Sequence, residues 1–142
     1  MTMIAGGCLC GRVRFHTEAR PIVARLCWCR DCQAFAAGNA TVNVVFPADG
    51  FEIEGETRDY VSTADSGNVM HRRFCPHCGT PLFSQSEARP NLIIARAGAL
   101  DDPELIGPSS AIWTASAPSW ALIDEAMTTH ERQGPLAGVS AT

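Results

Sequence analysis

Apolar and polar residues alternate along most of this chain with the two-residue period of a half-buried strand. The pattern is clearest in Gly11 to Thr17 (GRVRFHT), Ala40 to Phe46 (ATVNVVF), Phe51 to Gly55, Asp59 to Ser62, Val69 to Phe74, Pro81 to Ser84 and Leu92 to Ala97. Turn-forming runs separate these segments, among them Phe46-Pro47-Ala48-Asp49-Gly50, Ala64-Asp65-Ser66-Gly67-Asn68 and Ala88-Arg89-Pro90-Asn91. Short strands so spaced predict a mainly β, mostly antiparallel domain. Helical spacing recurs once, from Ser119 to Thr128, where Ser119 stands as a cap and Leu122, Ile123, Ala126 and Met127 fall on one side. A short peripheral helix is predicted there. Residues 131–142 are small, interrupted by Gly and Pro and without periodicity, so a single domain over 1–130 followed by a loosely held tail is expected.

With 142 residues, 46% of them hydrophobic, the chain fills one core and is short for two. No window approaches the roughly 18 apolar residues of a membrane span, and Met1 to Cys8 has neither a basic start nor an apolar run. A soluble, cytoplasmic protein with no membrane partner is the expectation. The net charge of -4 is spread over interleaved residues, which gives no footprint for nucleic acid. All eleven basic residues are Arg, a permanent planar cation suited to carboxylates and to metal-bound thiolates.

Seven cysteines change the picture most. In a reducing compartment, closely spaced cysteines serve more often as metal ligands or catalytic groups than as disulfides. They fall into three groups: Cys8-Leu9-Cys10, Cys27-Trp28-Cys29-Arg30-Asp31-Cys32, and Cys75-Pro76-His77-Cys78-Gly79. The last has the spacing of a zinc knuckle, which supplies two ligands and needs two more. Cys8 and Cys10, placed at the mouth of a strand, would point to one side and complete a four-thiolate site. In the middle group Cys27 and Cys29 share a face, and a turn through Arg30 and Asp31 brings Cys32 to the same point. Three ligands leave a tetrahedron open, as catalytic zinc sites do. The alternative is a fourth ligand from His16, His71, His77 or His130, giving two structural zincs in a non-enzymatic protein-binding module.

GGCLCGRVRF (Gly6 to Phe15), CWCRDC (Cys27 to Cys32), RRFCPHCGTPLF (Arg72 to Phe83), ARAGALDDP (Ala95 to Pro103) and IWTASAPSW (Ile112 to Trp120) resemble, in this order, the glutathione-dependent formaldehyde-activating enzyme family, which includes centromere protein V. The resemblance implies a zinc-binding fold of the β-tent type and two Zn2+ per chain. It implies that Cys8, Cys10, Cys75 and Cys78 hold a structural zinc, and that Cys27, Cys29 and Cys32 hold the zinc of a carbon-sulfur lyase-type site. The implied reaction joins a small thiol such as glutathione to formaldehyde, giving S-hydroxymethylglutathione. Many relatives carry His where this chain has Trp28, so Trp28, with Arg30 in the same loop, is a candidate substrate contact. Arg72 and Arg73 are candidate cations near the thiolates, and His71 is a candidate proton carrier. Asp101 and Asp102 read as turn residues, and Trp113 and Trp120 as core or pocket-rim aromatics.

Overall fold

The computed structural model describes residues 2–135. Its strands are β1 (Ile4–Gly7), β2 (Arg14–Thr17), β3 (Val23–Cys27), β4 (Thr41–Pro47), β5 (Glu52–Glu54), β6 (Arg58–Thr63), β7 (Val69–Phe74), β8 (Pro81–Ser86), β9 (Leu92–Arg96), β10 (Ser110–Ile112) and β11 (Thr128–Thr129). One α-helix, α1 (Arg30–Phe35), follows β3. The strands make a three-stranded sheet, β1-β2-β5, and an eight-stranded sheet, β11-β10-β3-β4-β9-β8-β7-β6. The architecture is mainly β, as the alternation predicts. Pairing is antiparallel except around β10, which runs parallel to both β3 and β11.

Alternation becomes burial in the large sheet. On one face, Ala24, Val44, Phe46, Phe83 and Ala95 are buried together with Phe15 of the small sheet. Phe15 stacks on Phe51 at 5.3 Å between centroids and meets Phe83 edge-on at 5.2 Å. This aromatic cluster is the core between the sheets. β4 is buried on both sides, so Val45 packs with Val23 and Leu92 on the opposite face. That opposite face carries the polar side chains of the sheet's centre, Arg25, Asn43 and Arg96, aligned across β3, β4 and β9.

The helix expected over 119–128 does not form. Those residues run as two turns, closed by Ala121 N–H to Pro118 O and Met127 N–H to Asp124 O, and then enter β11. The Asp124 carboxylate accepts the N–H of Ala126, a local alternative to helical bonding. Ten residues are also marginal for a helix that buries no full face, and Leu122, expected to point inward, is exposed. The helix lies instead within the central cysteine group. Of the expected tail, residues 136–142 lie outside the described residues, while 131–135 stay attached: Arg132 O accepts from Trp113 N, Glu131 O from Ala115 N, and Gly134 O from Arg25 Nη1.

Candidate metal centres

The two outer cysteine pairs meet through two facing turns. Cys8 and Cys10 lie in the turn between β1 and β2 rather than on a strand, so strand alternation is not what aims them. The turn is closed by Gly11 N–H to Cys8 O, with Gly11 at a φ of 81°, a left-handed backbone that glycine adopts without strain. Cys75 to Gly79 makes the matching turn between β7 and β8, closed by Gly79 N–H to Cys75 O at 2.8 Å. Leu9 N–H bonds the Thr80 hydroxyl and locks one turn to the other.

Cys8 and Cys10 Sγ stand 3.6 Å apart and Cys10 and Cys75 Sγ 3.8 Å, with all four sulfurs within 4.8 Å of one another. Zn–S bonds of about 2.3 Å arranged tetrahedrally put sulfurs about 3.8 Å apart, so the donor set fits zinc. Backbone N–H groups of Val13 and His77 point at Cys8 and Cys75 Sγ, as thiolate acceptors require. Donation from the Thr80 hydroxyl, then from backbone N–H groups, draws Cys78 down to about 5.

Cys27, Cys29 and Cys32 are all buried, with their sulfurs also within 4.8 Å of one another. Cys27 ends β3, Cys29 is the N-cap of α1, and Cys32 lies in its first turn with its N–H on Cys29 Sγ at 3.3 Å. A helical turn, not a loop, therefore closes the tripod. Gln33 anchors that turn, its buried amide donating to Trp28 O at 2.7 Å and to Ser116 O at 3.0 Å. The three sulfurs are mutually in hydrogen-bonding reach: Cys32 is drawn down to about 2 by the thiols of Cys27 and then Cys29, while Cys27 is pushed far up by those of Cys29 and then Cys32. No histidine joins the cluster among the described residues. His71 sits between Asp59 and Glu87, and His77 beside Arg12.

The tripod opens on a cavity of about 160 Å³ on the outer face of the large sheet. Ile112 and Trp113 form one wall; Trp113 holds a left-handed backbone with φ 59°, and its indole N–H donates to Gln133. The buried cations facing the cavity are Arg25, Arg72 and Arg96, only 6%, 5% and 8% exposed, while half-buried Arg89 and exposed Asp65 also line it. Burial opposes the charge on Arg25 and Arg96, while Cys27 favours it at Arg25 and Cys32 at Arg96. Trp28 and Arg30 do not line this cavity: Trp28 is buried behind it in the apolar cluster that includes the three cysteines, Ile112 and Trp113, and Arg30 is exposed and bonded to Gln33. Arg73 bonds Gln85, and Asp101 pairs with Arg14 near the small sheet.

Two thiolate clusters on a mainly β scaffold, one of four sulfurs and one of three facing a cavity, define a candidate metalloprotein with one closed and one open site. The family model described as glutathione-dependent formaldehyde-activating enzyme matches residues 3–116, and the chain belongs to that family. No curated protein matches the chain. Among solved structures, a Rhodobacter sphaeroides protein is similar at 19% identity over 73% of this chain and 91% of its own, with a TM-score of 0.55, a likeness of fold alone. No helix among the described residues is long and apolar enough to cross a membrane.

Proposed function

We propose that the chain is a zinc-dependent enzyme of carbon-sulfur lyase type that adds a small thiol to formaldehyde at the open Cys27-Cys29-Cys32 site, glutathione being the thiol the family's description points to. In this reaction the sulfur forms a bond to the carbonyl carbon, and the proton lost from the thiol ends on the former carbonyl oxygen. The observation that carries the reading is the difference in ligand count, four sulfurs against three, with the three at the floor of a cavity. Zinc with an open position supplies deprotonation of a coordinated thiol at neutral pH. Cys27, Cys29 and Cys32 would hold the ion and leave one corner facing the cavity, while Cys8, Cys10, Cys75 and Cys78 would hold a second zinc that closes the fold. Arg96 beside Cys32 offsets the negative charge that gathers when a fourth thiolate joins. Ile112 and Trp113 keep water from one side of the site.

Exchange NMR of formaldehyde with glutathione and other thiols tests this, because the adduct forms measurably without catalyst. Zinc-loaded protein is expected to raise the exchange rate in proportion to its concentration, and Cys29→Ser to abolish the gain. An exchange rate indifferent to the protein with every thiol tried contradicts the proposal and favours the non-enzymatic module.

A further inference from the structure

The charge inventory around the three-sulfur site does not close. A divalent metal with three thiolates carries one net negative charge, while Arg25, Arg72 and Arg96 contribute three positive charges, each nine-tenths or more buried; Arg89 and Asp65, less buried in the same lining, are one of each sign and leave the sum unchanged. The one carboxylate paired with any of the three buried cations is Asp31, half exposed and 3.8 Å from Arg72 Nη2, beyond the usual length of a charge-assisted hydrogen bond. The remaining partners are neutral: Gly134 O for Arg25, Ser62 Oγ for Arg72, and Asn43 Oδ1 for Arg96. The Nε groups of all three are buried and have no partner among the described residues. Buried charges are normally paired, because desolvation of an unpaired one is costly.

From this we infer that the cavity recognises a carboxylate on the thiol substrate, held by Arg25, Arg72 and Arg96 a few bonds from the sulfur that enters the open metal position. The inference rests on the open-site reading above and narrows its substrate to compact mercapto-carboxylates. A ligand bringing one thiolate and one carboxylate cancels the two surplus positive charges. Placement argues the same way, since the three cations and the open side of the tripod line one cavity of about 160 Å³. Arg96 and Cys32 line the same cavity and the sulfur's charge favours that of the guanidinium, so an anion gripped by Arg96 lies on the side of the metal corner. Asn43 orients it, held in turn by the Thr41 hydroxyl at 3.2 Å.

Calorimetric titration of the zinc-loaded protein with 3-mercaptopropionate, 2-mercaptoethanol and glutathione provides the test. The expected result is 3-mercaptopropionate binding at least about tenfold tighter than 2-mercaptoethanol, the factor expected for a charge-assisted contact. Glutathione, whose carboxylates lie farther from its sulfur, is expected to bind more weakly than 3-mercaptopropionate. In Arg72→Gln and Arg96→Gln the preference for the acid over the alcohol should fall toward unity while 2-mercaptoethanol still binds. Equal affinity of the two small thiols in the wild-type protein overturns the inference and leaves the open-site reading standing. Tighter binding of glutathione overturns the compact-ligand claim. Failure of all three thiols to bind removes the open-site reading and the inference with it.

Discussion

The two cysteine clusters are built from the same ligand and differ in what surrounds them. The four-sulfur cluster joins two turns, and its neighbours are backbone N–H groups and Thr80. The three-sulfur cluster ends a central strand and begins a helix, and its neighbours are buried guanidiniums and an aromatic wall. Backbone donors orient the sulfurs of the first, and four sulfurs complete a tetrahedron. A cavity edged with fixed charge flanks the sulfurs of the second and leaves room. The first arrangement joins the turn after β1 to the turn after β7 and suits a structural metal; the second, on the proposed reading, suits chemistry and surrounds its sulfurs with buried charge.

The largest effect that separates the clusters is expected from Cys78→Ser. Structural zinc binding is folding free energy, so loss of one ligand should lower unfolding stability by at least about 4 kcal/mol, read by denaturant melts alongside zinc content. Cys29→Ser should drop zinc from two ions per chain to one, abolish thiol binding and leave the protein folded. Its stability loss should be less than half that of Cys78→Ser. Equal losses would make both sites structural and erase the contrast. The smallest effect is expected from His71, remote from both clusters. Its pKa is raised, first by Asp59 and then by Glu87, so it contributes stability below its unfolded value near 6.5 that is lost as pH rises through the folded value. His71→Gln should flatten the stability profile slightly above about pH 6.5 and leave thiol binding and catalysis unchanged. A change in the pH-rate profile would instead restore His71 as a proton carrier.

Much of this was readable in the chain because strand alternation and cysteine spacing are local signals. The segments around β2 and β4 to β9 carry the alternation, and the knuckle Cys75 to Gly79 carries its own turn chemistry. β3 was missed because VARLC is apolar on both faces apart from Arg25, as befits a strand buried on both sides. The same five residues held the overlooked clue, since Arg25 and Cys27 are two apart and must share a face. Arg96 was legible in the same way at the end of LIIAR, in phase with Leu92 and Ile94. Trp28 lies away from the cavity although its neighbours in sequence are the tripod cysteines, because a strand-to-helix junction sends successive side chains in different directions. The helix expected over 119–128 failed for another reason: its periodicity was sound, but Asp124 captures the N–H of Ala126 locally, and Ala121, Ile123 and Met127 reach the cluster around the tripod from turns.

The central claim is that one metal has four protein sulfurs and the other has three. X-ray absorption at the zinc edge of the fully loaded protein, with and without bound thiol, measures this directly. The account predicts seven sulfurs and one light-atom donor per two zincs in the free protein, the light atom giving way to an eighth sulfur when thiol is added. A nitrogen or oxygen donor that persists in the presence of saturating thiol would mean that the chain itself fills the fourth position, and would contradict the account.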